Sequence, residues 1–248
     1  MRLNELDDYN ASLLQTRLFK DYCPNGLQVE GRPEVGRIAT AVTASQAVIE
    51  AAIRWEADAL LVHHGFFWRN EDAAITGIKK RRLAKLLNSD VSLLAYHLPL
   101  DAHETLGNNA RLALELGLRT TLRCGEQNLL SAGVLEADHT LAQFVSAVES
   151  KLQRVAQVVA GDGRTIRRVA WCSGGAQGYF GQAIASGVDA YLTGEISEQN
   201  FHLAQESGVA FIAAGHYATE QFGIQALGAH LAEKFGLQHQ FFDQDNPV

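Results

Sequence analysis

Residues 56–65 read EADALLVHHG and residues 187–196 read GVDAYLTGEI. Superposed on Asp58 and Asp189, both follow a helical pattern and run through an apolar strand. Each reaches a polar side chain six residues after the aspartate, His64 in one and Glu195 in the other. Further on, YHLPLD (96–101) lies over GHYATE (215–220), matching His97 with His216 and Asp101 with Glu220. An ordered set of matches is the mark of an internal duplication, so two related units are expected to share one site.

Outward from these segments, strands and helices alternate. RIATAVTA (37–44), DALLVH (58–63) and VSLLAYH (91–97) are short β-rich runs, and the patterns at 3–19, 45–55, 75–88 and 107–117 predict helices. Ser45 stands as a helix cap. The middle carries a strand at NLLSAGVLE (128–136), a helix opening near Asp138 and Thr140, and a strand at VAQVVAG (155–161). After Gly163 the pattern resumes with strands at 167–173, 188–193 and 208–214, helices at 178–186 and 196–207, and a long helix from about His216. This order predicts an α/β fold of two related three-layer α/β/α halves with mainly parallel sheets, pseudo-symmetric and intertwined, divided near residue 120 into 1–120 and 121–248.

The chain has 248 residues, 47% of them hydrophobic, which is enough for a packed core. Its net charge of -7 has the wrong sign for generic nucleic-acid binding. Cys23, Cys124 and Cys172 lie far apart with no C-x-x-C spacing. That fits reduced thiols in a cytosol, and no stretch reaches membrane-spanning length, so a cytoplasmic protein is expected.

Two imidazoles at a strand end, His63 and His64, would point to opposite faces of a regular strand, but Gly65 lets the backbone turn there. Open α/β sheets place ligands at the carboxyl ends of parallel strands. His216 and Glu220, four apart, share a face if a helix begins at His216. Asp101 has the same spacing from His97, although Pro99 argues for a rigid loop there. The candidate metal ligands are therefore His63, His64, Asp101, His216 and Glu220. Five such groups exceed the needs of one tetrahedral zinc and fit two divalent metal ions sharing bridging carboxylates. Neutral imidazole with carboxylate suits zinc, iron, manganese, nickel or cobalt.

The segments NGLQVEG, LLVHHGFFW, HLPLDAHETLGNN, LTGEISE and AAGHYATE resemble the signatures of the GTP cyclohydrolase type 2-like dinuclear-metal-centre family, also called the YbgI group. The resemblance runs nearly end to end. It implies two intertwined α/β halves, a toroidal homohexamer and a metal pair per subunit. The implied ligands fall on the same five residues, with Asp101 and Glu220 as bridges and His97 as a neighbour that carries protons or supports the ligands. The domain that larger members insert between the halves has no room here.

The implied activity is a GTP cyclohydrolase-like hydrolase acting on a nucleotide or related heterocycle. In it, metal-bound hydroxide attacks the purine C8 and His97 or Glu195 shuttles protons. Two alternatives stand beside it: metal-dependent phosphoester hydrolysis, and a non-enzymatic toroid that stores metal or acts as a scaffold. Glu195 reads equally as a helix-start acid, and His103, Glu104 and Asn108 follow Asp101 closely enough to reach the site. KKRRLAK (79–85) is read as a solvated helix face rather than a triphosphate site. Phe66, Phe67 and Trp68 are read as packing or subunit contact. Gly174 and Gly175 form a tight turn that can approach a ligand.

Overall fold

In the computed structural model, which describes all 248 residues, eleven strands form two sheets. In chain order they are β1 (Gly26–Val29), β2 (Arg37–Thr43), β3 (Ala59–His64), β4 (Ser92–Ala95), β5 (Leu118–Cys124) and β6 (Leu130–His139). β7 (Gln157–Val159), β8 (Ile166–Trp171), β9 (Ala190–Thr193), β10 (Ala210–Ala213) and β11 (Gln238–Phe241) follow. The chain packs as two units, one of Met1–Gly107 with Gly223–Asp245 and the other of Asn108–Phe222 with Asn246–Val248.

The first unit holds the sheet β1-β4-β3-β2-β11, parallel throughout except that β1 runs antiparallel on β4. Leu60, Leu61 and Val62 of β3 have no exposed surface. A strand covered on both faces gains its stability from continuous apolar burial, which is why this run does not alternate. Helix Gln46–Arg54 packs on the sheet through Val48, Ile49 and Ala52, and Ser45 caps it by accepting from the Val48 N–H at 3.2 Å. Such a cap contributes about 1 kcal/mol. Pro99 lies at the start of a helical turn, Leu98–Ala102, and not in a loop. The missing proline N–H costs nothing there, because the first N–H groups of a helix have no partner within it.

The second unit holds the sheet β5-β6-β8-β9-β10-β7. Its centre, β8-β9-β10, is parallel, but β5, β6 and β7 add antiparallel pairings, so this sheet is mixed. Trp171, Phe144, Leu192 and Ile212 fill one core beneath it, and Thr140 opens the helix Leu141–Leu152 with a reciprocal capping box to Gln143. The long helix expected from His216 is broken: His216–Thr219 and Gln221–Phe235 are separate, with Glu220 at φ -110° and ψ 5° between them.

The duplication is visible in the sheets. Reading β1-β4-β3-β2 against β7-β10-β9-β8 gives the same order with the same senses, including the antiparallel edge. The two aspartates that anchor the sequence match do the same work. Asp58 Oδ2 accepts from the N–H groups of Gly36 and Arg37, each at 2.8 Å, and Asp189 Oδ2 accepts from those of Arg167 and Arg168 at 3.0 and 2.7 Å. In each unit a carboxylate at the start of one strand clamps the start of its parallel neighbour.

Candidate metal centre

In the first unit the exits of β3 and β4 bring His63, His64 and His97 together, with ring nitrogens within 4.8 Å of one another. His63 is fully buried, and its Nδ1–H donates to the Tyr96 carbonyl at 2.9 Å. A carbonyl only accepts, so the neutral ring carries its lone pair on Nε2. That nitrogen lies 3.5 Å from Oδ1 of the buried Asp101, which the turn Leu98–Ala102 presents. His64 shares a 3.1 Å hydrogen bond between Nδ1 and Thr43 Oγ1. The Nδ1–H of His97 donates to Asp21 Oδ1 at 2.7 Å. Gly65 is required at the exit, because a Cβ there would overlap the Gln28 amide, whose oxygen accepts from the Phe66 N–H.

In the second unit the Nδ1–H of His216 donates to Glu195 Oε1 at 2.7 Å, and its Nε2 lies 3.2 Å from Oε2 of the buried Glu220. Burial lowers the His216 pKa, but bonding and charge from Glu220 and then Glu195 outweigh it and raise the group to about 9. Gly174 (φ +67°) and Gly175 let the chain pass close to both carboxylates. A Cβ on Gly174 would overlap the Glu220 carboxylate, and one on Gly175 would lie 3.4 Å from Glu195 Oε1. Glu195, the repeat partner of His64, therefore orients a histidine from behind.

One pattern runs through both units. His63, His64, His97 and His216 each commit Nδ1 to an outer partner and leave Nε2 forward, the arrangement that metal-binding imidazoles adopt. Buried carboxylates flank His63 and His216. Divalent cations fit this donor set, because a cation on Nε2 replaces the proton that otherwise reconciles imidazole with carboxylate.

A neighbouring triad, Asp21, Cys23 and His97, fits a metal less well. Burial, reinforced by Asp21, pushes the Cys23 thiol up to about 12, so it is no thiolate, and the Asp21 oxygens already accept hydrogen bonds. A cleft of about 590 Å³ opens beside Arg32 and Arg37 at the amino end of β2. Its arginines are paired with Asp58 and Glu56, so it presents no spare charge.

Other expectations resolve locally. His139, His202, His230 and His239 bond elsewhere, to Ala137 O, Glu198, Tyr9 and Thr40 respectively. In the basic run, Lys79 lies 3.6 Å from Glu71 and Lys85 3.0 Å from Glu50. His103 accepts from the Leu106 N–H through Nδ1, and Asn108 begins a helix. Trp68 does more than pack at a distance: its ring meets His97 edge-on at 5.1 Å and His64 at 6.0 Å. Asp21, Thr43 and the Tyr96 carbonyl went unread in the sequence. Asp21 stands just before Pro24, Asn25 and Gly26, residues that punctuate the chain, but nothing local tied it to His97.

These features define a two-unit α/β protein with histidine and carboxylate clusters at its strand exits. A family model described as Duf34/NIF3 (NGG1p interacting factor 3) matches residues 1–247, and the chain belongs to this family. It is 58% identical over 235 residues to a Neisseria meningitidis serogroup B protein named GTP cyclohydrolase 1 type 2 homolog, covering 95% of this chain and 94% of that one. A Pseudomonas aeruginosa protein of the same name is 52% identical over 249 residues, covering 99% and 97%. Among solved structures, protein ybgI, described as of unknown function, matches with TM-score 0.97 at 44% identity over all of both chains. A Thermus thermophilus protein matches with TM-score 0.91 at 36% identity, also over all of both chains.

Proposed function

We propose that the protein is a hydrolase that uses two divalent metal ions held by His63, His64, Asp101, His216 and Glu220, and acts on a nucleotide or related heterocycle in the manner of a GTP cyclohydrolase. The observation that carries this is the shared orientation of the His63, His64 and His216 imidazoles, each with Nδ1 anchored, and the buried carboxylates beside His63 and His216. The name borne by the Neisseria and Pseudomonas relatives supports the substrate class.

When bound, the ions supply Lewis acidity, lowering the pKa of a water and polarising the group it attacks. Asp101 and Glu220 would supply carboxylate oxygens to the two ions. Glu195 fixes the His216 tautomer, and His97 carries protons. On GTP, one water adds at the purine C8 and opens the imidazole ring, and a second hydrolyses the resulting formamide to release formate.

In this proposal the chain works in the cytosol as a homohexamer. Exposed Phe67, Ile75 and Ile78 offer apolar surface for self-association, which light scattering on the purified protein measures.

The deciding experiment loads metal-free protein with each candidate ion and measures formate and phosphate released from a nucleotide panel. Formate from GTP, lost in His63→Ala, bears the proposal out. Phosphate alone makes the protein a phosphoesterase, and stoichiometric metal without turnover leaves storage or scaffolding.

A further inference from the structure

We infer that Asp21 is a positioning residue that fixes His97 with its proton on Nδ1 and its lone pair on Nε2, making His97 the acid–base group of the site. The inference rests on the hydrolase reading for its chemistry and on hydrogen bonding alone for its geometry.

The Asp21 carboxylate is 3% exposed and receives bonds from three directions besides His97. Its Oδ1 takes the His97 Nδ1–H at 2.7 Å and the Tyr22 N–H at 2.6 Å. Its Oδ2 takes the Leu98 N–H at 3.0 Å and the Asn25 amide at 2.8 Å. Asn25 closes the loop by accepting the His97 backbone N–H at 2.7 Å. One carboxylate thus grips both the His97 ring and the backbone beside it.

The ring has little freedom left. Trp68 meets it edge-on at 5.1 Å, Tyr22 lies 6.3 Å away, and His63 and His64 lie at 5.0 and 5.8 Å between ring centres. Arg69 ties the wall together, donating to the Asp21 carbonyl at 2.7 Å and lying over the Tyr22 ring at 5.7 Å. Nε2 is what remains for chemistry, on a ring that stands beside those of His63 and His64, one nitrogen of each lying within 4.8 Å of the others.

The step balances. As a water oxygen bonds to the substrate carbon, one water O–H breaks and its proton goes to His97 Nε2. That proton then passes to the leaving nitrogen as the carbon–nitrogen bond breaks. Oriented acid–base groups contribute about 10²- to 10⁴-fold in rate.

The test is long-range proton–nitrogen NMR on metal-free, full-length protein labelled with ¹⁵N-histidine, in wild type, Asp21→Asn and Asp21→Glu, beside zinc equivalents in each. Expected are a wild-type His97 protonated on Nδ1, a switch toward Nε2–H in Asp21→Asn, restoration in Asp21→Glu, and unchanged zinc content. With an active nucleotide, Asp21→Asn lowers kcat by about 10²- to 10⁴-fold with KM little changed.

A wild-type His97 protonated on Nε2, or a tautomer indifferent to Asp21→Asn, overturns the inference. So does loss of zinc in His97→Gln, which would make the ring a ligand; this variant and the wild-type spectrum decide the matter if Asp21→Asn does not fold. The expected tautomers with no turnover of any nucleotide support the positioning and remove the hydrolase reading alone.

Discussion

Replacing Gly174 by alanine tests the metal centre without substituting a proposed ligand. Gly174 has φ +67°, a conformation that costs an L residue roughly 1–2 kcal/mol. The added Cβ would stand 2.9 Å from the Glu220 carboxyl carbon and closer still to Oε1, where carbon atoms settle at about 3.5–4.0 Å. The carboxylate must therefore retreat by at least about 0.6–1.1 Å, beyond the ~0.5 Å that a functional constellation tolerates. The His216 Nε2 atom, 3.2 Å from the same Cβ, is crowded as well. Metal affinity is expected to fall by about 10- to 100-fold, the loss typical when the support of a ligand is disturbed. Stability should drop by about 1–2 kcal/mol from backbone strain alone.

Gly175→Ala is the control, because its Cβ meets Glu195 Oε1 at an ordinary 3.4 Å. Competition against a chromophoric zinc chelator gives the affinities, and urea unfolding of the metal-free proteins gives the stabilities. If Gly174→Ala binds zinc with wild-type affinity and stoichiometry, Glu220 does not hold metal and the reasoning fails.

Three further outcomes follow from the geometry. Asp58→Ala and Asp189→Ala each remove two charge-assisted hydrogen bonds at equivalent places, so each should lower unfolding free energy by roughly 1–3 kcal/mol, Asp58→Ala by up to about 1 kcal/mol more because it also loses its pair with Arg32; a larger loss in Asp189→Ala would deny that the clamps are equivalent. Burial lowers the pKa of His239, so the unfolded chain binds the extra proton first. Stability should fall as pH drops below about 6.5, and less in His239→Gln; equal losses in urea midpoints at pH 7 and 5.5 would rule this out. Adding metal at 100 times its Kd should stabilise the wild type by about 2.7 kcal/mol and the His63→Ala, His216→Ala double variant far less, read as thermal shifts with and without chelator.

Much of this architecture was legible because its carriers are local. The apolar runs of β3, β4, β9 and β10 announce buried strands, and Asp58 and Asp189 sit at fixed distances from the polar groups beyond them. Where burial does not dictate sequence, the signal fades. β5, LRTTLRC, and β11, QHQF, are edge strands with mostly polar, partly exposed side chains, and neither shows apolar periodicity. The turn at Pro99 was hidden by a residue that reads as a breaker except where its N–H is surplus. The supports behind the imidazoles were harder still. Asp21 meets His97 across 76 positions, and His63 leans on a main-chain carbonyl that no side chain encodes.

The route of the chain also governs its synthesis. β11 pairs with β2 only after everything between Gly107 and Gly223 has been made. At ribosomal rates of ~5–20 residues per second, the roughly 134 residues from Asn108 to Phe241 hold that edge open for roughly 7–27 seconds. Throughout that interval Arg37–Thr43 presents an unpaired backbone edge to its surroundings, a template onto which another nascent chain can zip. Clipping the protein behind Phe222 would make that exposure permanent, turning a finished sheet margin into a seed for aggregation.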